Sequence, residues 1–215
     1  MKLLLARHGN TFTQEMTPVF VGSANDMPLV DEGERQASRF SQFCKMRGLL
    51  PAAVYCGPLR RTRRFAEIVC QELRLACVPV VDERLNELDY GGWSGKTNEQ
   101  VVAEFGEAAL KQWNDHGVWP TGSNWGSAPE AVIADLKSYV ADLHKRHALD
   151  DVVLSVSSNG RLRYFLKFIP QLFDEMAANK NLKVAPGNAC QITLDGAGDF
   201  NLDFWNQSPA KVLAR

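Results

Sequence analysis

No stretch of the 215-residue sequence approaches the roughly 20 consecutive apolar residues that a membrane-spanning helix needs. The apolar run at residues 3–6 is also too short for the core of a signal peptide. Net charge is nearly absent as well, because 24 Lys and Arg oppose 25 Asp and Glu and leave a formal charge of −1. We therefore expect a cytoplasmic protein that binds neither nucleic acid nor membrane, so that any anion site must be local.

Cysteine and histidine spacing gives no sign of a disulfide framework or a metal site. The five cysteines are an odd number without a C-x-x-C pair, which argues against both. His144 and His147 lie one turn apart in a predicted helix, but neither a ligating cysteine nor an H-E-x-x-H context accompanies them. We predict reduced, mostly buried thiols and no metal.

The order of apolar patterns is typical of an α/β protein. At 45% hydrophobic and 23% charged residues, the composition suits one soluble domain covering residues 1–215. Short apolar runs of strand length alternate with stretches of helical spacing. This alternation predicts a three-layer α/β/α sandwich with a mostly parallel central sheet and a site at the carboxyl ends of its strands. The predicted strands are residues 2–6, 53–56, 78–81, 152–156 and 189–194, and the predicted helices include Asp31–Arg47, Thr97–Leu110 and one capped by Ser127 with Glu130.

The first predicted strand ends in Arg7, His8 and Gly9, which are followed by Asn10 and Thr11. Glycine there lets a ligand approach the backbone closely, and the short polar side chains add donors beside the histidine. We predict an anion pocket at this strand end.

Four arginines open the helix that follows the second predicted strand. Successive helical residues project about 100° apart, so Arg60, Arg61, Arg63 and Arg64 cannot all face one ligand. We favour Arg61 as the anion-binding residue, and we interpret the other three as a basic turn facing solvent.

A glycine-rich segment at residues 85–96 carries two carboxylates. Such a loop can fold against a pocket, and Glu87 would serve as the proton carrier for a leaving group. Asp89 is the competing choice.

Three separated segments, residues 5–11, 56–62 and 85–96, resemble the successive signatures of the histidine phosphatase superfamily, which includes the cofactor-dependent phosphoglycerate mutases. The resemblance implies that His8 becomes phosphorylated, that Arg7 and Arg61 bind phosphate, and that Glu87 donates a proton. Asn10 and Thr11 are predicted to add phosphate contacts.

The residue after the fourth predicted strand departs from the family pattern. Family members carry a second catalytic histidine at the end of the fourth predicted strand, where this chain has Ser158 followed by Asn159. We expect both residues to contact phosphate, although a serine brings no positive charge. Loss of one such donor costs roughly 10²-fold to 10³-fold in turnover, so we expect weakened activity.

The resemblance also implies a substrate-covering insertion, which we place around residues 97–126. Trp113, Trp119 and Trp125 lie in this segment among turn residues. Their rings could stack on a substrate, or they could anchor a large loop by burying their indoles. We favour the second interpretation.

These features predict a metal-independent phosphomonoester hydrolase that works through a phosphohistidine on His8, without an organic cofactor. Its partner would be a small phosphorylated metabolite such as a sugar or nucleotide phosphate. Two alternatives remain. A phosphoglycerate mutase-type phosphotransferase would use the same residues but require bisphosphoglycerate, and a phosphate-ester-binding pseudoenzyme would bind without turnover.

Overall fold

Six strands form one mixed sheet in the computed structural model, which describes residues 1–214. The spatial order is β3-β2-β4-β1-β5-β6. The first four strands in this order run parallel, whereas β5 lies antiparallel to both β1 and β6. The sheet is therefore mostly parallel, as predicted. Its strands are β1 (Lys2–Arg7), β2 (Ala53–Cys56), β3 (Val80–Val81), β4 (Val152–Ser157), β5 (Ala189–Leu194) and β6 (Phe200–Gln207).

Helices occupy most of the connections between the strands. The described α-helices are α1 (Asp31–Arg47), α2 (Arg60–Leu73), α3 (Asn98–Phe105), α4 (Glu107–Lys111), α5 (Pro129–Arg146), α6 (Asn159–Leu162), α7 (Leu172–Ala178) and α8 (Pro209–Leu213). Short 3₁₀ turns add Glu83–Leu85, Gly91–Trp93 and Arg163–Phe168, and Gln112–His116 forms a π-helical turn.

Alternate residues of β1 face two separate apolar cores. Leu3 and Leu5 pack in a cluster with α5 and α7, whereas Leu4 and Ala6 pack in a second cluster with α1 and α2. All four side chains are almost completely buried. A parallel strand that is covered on both faces has apolar residues at consecutive positions, which explains why residues 3–6 are all apolar. The predicted three-layer α/β/α arrangement is confirmed.

Two local predictions between residues 97 and 130 are wrong. The helix predicted over Thr97–Leu110 is divided at Gly106, whose φ of 88° does not continue an α-helix. The helix expected to be capped by Ser127 begins at Pro129 after Ala128, without a side-chain cap. The Ser127 hydroxyl instead accepts a long hydrogen bond from the backbone N–H of Asp89, at 3.5 Å.

The parallel strands bring three chain segments together at one edge of the sheet. Arg7 at the end of β1 lies in register with Ser157 at the end of β4, and Cys56 at the end of β2 is paired with Val156. The segments that follow these strands therefore meet at the carboxyl edge, where open α/β sheets bind ligands. No helix within residues 1–214 is both long and apolar enough to cross a bilayer.

Candidate active site

A cavity of about 560 Å³ opens at the carboxyl ends of β1 and β4. The polar side chains around it come from seven separate parts of the chain. Its lining includes Arg7, His8, Gly9, Asn10, Thr11, Phe20, Arg61, Glu87, Tyr90, Asn98, Trp113, Asn114, Asn159 and Lys183.

The hydrogen bonds of His8 define which ring nitrogen is free to react. Nε2 of His8 accepts from Nε of Arg61 at 3.2 Å, and an arginine N–H can only donate. Nδ1 of His8 therefore carries the hydrogen, which it donates to the carbonyl oxygen of Gly9 at 2.7 Å. Burial, reinforced by the positive charges of Arg61 and Arg7, holds the pKa of His8 well below its ordinary value. The imidazole is neutral, with its Nε2 lone pair facing the guanidinium.

Arg61 lies on the inner face of the first turn of α2, as we predicted when choosing among the four arginines. Its side chain is buried, whereas those of Arg60 and Arg63 are exposed. Its terminal nitrogens donate to the carbonyl oxygens of Asn25 at 2.9 Å and Gly22 at 2.8 Å. These two contacts to the loop after β1 hold the guanidinium against the histidine.

Arg7, Asn10 and Thr11 line the same cavity. Nη1 of Arg7 donates to the carbonyl oxygen of Val184 at 2.7 Å, whereas its buried Nε has no hydrogen-bond partner within residues 1–214. Burial lowers the pKa of Arg7 to about 10, so the group stays charged near neutral pH. The backbone N–H of Asn10 donates to Oε1 of Gln36 at 2.7 Å, which fixes the turn after the histidine.

Glu87 rather than Asp89 reaches the cavity. Oε1 of Glu87 accepts from the backbone N–H of Leu88 at 2.9 Å, and Oε2 accepts from that of Gly160 at 3.3 Å. Asp89 is absent from the described cavity lining, because its Oδ1 turns away to accept from the N–H of Gly91 at 2.9 Å. The geometry favours Glu87 as the proton carrier.

The turn after β4 supports the Glu87 loop. The hydroxyl of Ser157 donates to the carbonyl oxygen of Leu85 at 2.6 Å, and Nε of Arg161 donates to that of Asn86 at 2.7 Å. A Cβ atom on Gly160 would overlap the Glu87 carboxylate. A glycine is therefore required there for the acid to approach the helix end.

Ser158, which replaces the family's second catalytic histidine, and Asn159, which follows it, lie in different surroundings. Asn159 lines the cavity, but its Oδ1 is engaged with the backbone N–H of Val184 at 2.8 Å. Ser158 is buried and is not among the described lining residues, and its hydroxyl has no hydrogen-bond partner within residues 1–214. Ser158 therefore lies behind the residues that line the cavity, and its contact with phosphate stays a prediction.

Gly9 has a second role that the sequence did not indicate. It lines the cavity, but a Cβ atom on it would also overlap the backbone of Gly33 in α1. The missing side chain therefore lets the first turn of α1 approach the histidine loop.

Sequence reasoning missed two cations near the site. Lys183 lines the cavity from the segment between α7 and β5, in no recognised motif. Arg163 is buried, lies 4.2 Å over the Trp113 ring, and donates from Nη1 to the carbonyl oxygen of Trp113 at 2.9 Å. An arginine four residues beyond Asn159 was the available signal for Arg163, whereas only the fold brings Lys183 here.

The three tryptophans form one aromatic cluster. Trp113 and Trp125 have ring centroids 4.6 Å apart, and Trp119 lies 4.9 Å from Trp125. Tyr90 also packs on Trp125, at 4.9 Å. Trp113 alone of the three lines the cavity. The indoles pack on one another, which agrees with the favoured anchoring interpretation. Trp113 in addition lines the cavity.

All five cysteines are free thiols, four of them buried. Within residues 1–214, no group of three or more His, Cys, Asp or Glu side chains is placed to hold a metal ion. His147, which was considered as a ligand, instead lies with its Nε2 3.0 Å from the Tyr55 hydroxyl.

The fold and the cavity together define a class: an α/β protein with a neutral histidine, two arginines and a carboxylate around one cavity. The family model of the histidine phosphatase superfamily (branch 1) matches residues 3–208. The chain therefore belongs to the histidine phosphatase superfamily, which confirms the resemblance found in the sequence.

Individual relatives include both mutases and phosphatases. The chain is 35% identical over 211 residues to a 2,3-bisphosphoglycerate-dependent phosphoglycerate mutase of Streptomyces avermitilis, covering 94% of this chain and 79% of the relative. It is 28% identical to the mutase of the same name from Bifidobacterium longum (strain DJO10A), over 86% of this chain and 83% of the relative. Among solved structures, a mycobacterial glucosyl-3-phosphoglycerate phosphatase in complex with VO3 shares the fold, with a TM-score of 0.75, 22% identity, and coverage of 96% and 99% of the two chains.

Proposed function

We propose that this chain is a phosphomonoester hydrolase that forms a phosphohistidine on Nε2 of His8. The observation that carries the proposal is the hydrogen bond from Arg61 to that nitrogen, inside a cavity that Arg7 and Glu87 also line. A neutral imidazole nitrogen beside two guanidinium groups is suited to attack phosphorus while the arginines hold the equatorial oxygens.

The reaction would proceed in two displacements. Nε2 of His8 bonds to phosphorus as the ester P–O bond breaks, and Glu87 protonates the departing alkoxide. Water then attacks the phosphorus, Glu87 takes its proton, and the P–N electron pair returns to the imidazole. Inorganic phosphate leaves, and the net result is ester hydrolysis. These steps require no metal ion and no organic cofactor.

The neutral wall of the cavity suits the leaving group of a small phosphate ester. Asn98 and Asn114 offer amides, and Trp113 and Phe20 offer aromatic surface. These groups suit a polyol or sugar. Residues 97–126, which supply three of the four, would act as the substrate-covering segment.

The test is a panel of sugar, nucleotide and glycolytic phosphates assayed for phosphate release by this chain and by His8→Ala. We expect release by the parent, an acid-labile phosphorylated intermediate, and a loss of at least about 10³-fold in the variant. Equal rates for the two proteins would refute the nucleophile.

A mutase-type transfer is the second candidate, because the curated relatives described above carry that name. It predicts that 2,3-bisphosphoglycerate is needed to prime the enzyme and that phosphate is exchanged between hydroxyls rather than released. The same panel, run with and without this phosphodonor, separates the two. Binding without release or transfer would indicate the pseudoenzyme.

A further inference from the structure

Lys183 lies on a segment that the rest of the site holds in place. Its neighbours Leu182 and Val184 are fully buried, whereas Lys183 itself lines the cavity. The carbonyl oxygen of Val184 accepts from Arg7 at 2.7 Å, and its N–H donates to Asn159 at 2.8 Å. The lysine backbone is thereby tied to the ends of both β1 and β4.

The charges around Lys183 leave it without a protein counterion. No carboxylate lies within 4.0 Å of its ammonium group in the described part of the chain. Burial and the positive charges of Arg7 and Arg163 lower the pKa of Lys183. Lys183 is an exposed residue whose charge water solvates, so the lack of a counterion leaves its ammonium group free to bind an anion that enters the cavity.

The cavity as a whole carries excess positive charge. Arg7, Arg61 and Lys183 line it, against the single carboxylate of Glu87. The buried Nε of Arg7 has no hydrogen-bond partner within residues 1–214, and Nη1 of the same guanidinium is bonded to Val184, the residue next to Lys183. Buried donors without partners are costly unless a ligand satisfies them, so these groups indicate an anion-binding position that extends beyond His8 and Arg61.

We propose that Lys183 binds the phosphoryl group and supplies the cationic donor that Ser158 cannot. The inference rests on the proposed function. The ammonium group would donate to a phosphoryl oxygen and stabilise the charge that develops there during transfer, without taking part in a covalent step. The chain would thus replace a histidine at a strand end by a lysine from a different segment.

The first test measures the binding of inorganic phosphate and orthovanadate by calorimetry, which needs no turnover. We expect Lys183→Met to weaken both by about 10-fold to 100-fold, the range for one charged hydrogen bond, and Lys183→Arg to retain most of the affinity. The exposed Lys137, which forms no ion pair within the described chain, provides the matched control Lys137→Met, expected to match the parent. Unchanged affinity in Lys183→Met would overturn the inference.

The second test introduces Ser158→His into the parent and into Lys183→Met. If Lys183 replaces the missing histidine, the new imidazole restores kcat/KM in the Lys183→Met background by a larger factor than it adds to the parent. Equal factors in the two backgrounds would show independent roles and contradict the inference. A parent that neither binds phosphate nor releases it would instead refute the proposed function, so the two failures are distinguishable.

Discussion

The two walls of the cavity are built in different ways. The phosphoryl wall, defined here as Arg7, His8 and Arg61, comes from the end of β1 and the first turn of α2, and its groups are charged or hydrogen-bonded to one another. The leaving-group wall, defined as Phe20, Asn98, Trp113 and Asn114, comes from long connections and carries no charge.

The difference shows how one fold can keep a reaction and change its substrate. Strand ends and helix starts are held by the sheet, so the groups that handle phosphorus are preorganised. Side chains on long connections can change without disturbing the sheet, and therefore they set specificity. We expect substitutions in the first wall to affect every substrate and those in the second to affect substrates selectively.

Of the four predictions, the loss of Glu87 should have the largest effect. The acid acts on the bond between the phosphoryl group and the leaving group, so its loss tests both walls of the cavity together. In Glu87→Gln we expect kcat for alkyl phosphates to fall about 10²-fold to 10⁴-fold, because the alkoxide leaves unprotonated. The first-turnover release of p-nitrophenol from its phosphate should fall far less, since that leaving group needs no proton. Rapid-quench kinetics measure both.

Asp89→Asn is the matched control for the acid. Because the side chain of Asp89 turns toward Gly91, the variant Asp89→Asn should retain catalysis even if the loop becomes more mobile. A larger fall of kcat in Asp89→Asn than in Glu87→Gln would identify Asp89 as the proton donor instead.

The phosphoryl wall is tested next by Arg61→Met. Removal of the buried guanidinium should lower kcat/KM about 10²-fold to 10³-fold on every substrate of the panel. Arg63→Met, on the exposed side of the same turn, should remain within about twofold of the parent, as surface changes do. Steady-state kinetics measure the effect of both substitutions. A loss in Arg61→Met that was limited to some substrates would contradict the difference between the two walls.

Asn114→Ala tests the leaving-group wall at an exposed residue, where folding is little affected. The loss of one amide contact should raise KM for sugar phosphates about 2-fold to 10-fold. The inhibition constant of inorganic phosphate should not change, because phosphate has no leaving group. The neighbouring Gln112→Ala serves as the control, and a weakened phosphate inhibition in Asn114→Ala would contradict the assignment.

The smallest effect should be on pH-dependent stability. The folded-state pKa of His8 lies well below 6.5, whereas the unfolded chain takes up this proton near 6.5. As the pH falls below 6.5, the unfolded state binds more protons than the folded state, so folding stability falls. Thermal melts should therefore show a greater loss of Tm on acidification in the parent than in His8→Ala. Parallel curves would mean that the histidine is not held neutral.

Regular periodic segments were predictable because their signals are local. The helix Asp31–Arg47 has the predicted bounds, since its apolar spacing continues until Gly48, whose φ of 64° ends it. The predicted strand 78–81 shrinks to Val80–Val81 at the sheet edge, where Pro79 offers no N–H to a neighbour.

The site was predictable only where a motif marked it. His8, Arg61 and Glu87 meet around one cavity, as the three signatures indicated. Lys183 was missed because it is an exposed lysine in no recognised motif, and only the fold places it among the residues that line the cavity. Ser158 was predicted to contact phosphate, but its burial depends on the turn that holds Glu87, which no local pattern encodes.

By itself, the sequence determined the family, the alternation of strands and helices, and the histidine, arginine and carboxylate of the three signatures, because these depend on residue types at short spacing. Tertiary structure alone decided that Lys183 joins Arg7, that Asp89 turns away, and that Trp113 faces the cavity while its companions pack behind it. Such contacts arise between segments distant in the chain, and their energies depend on burial and distance, which become defined only when the sheet has formed.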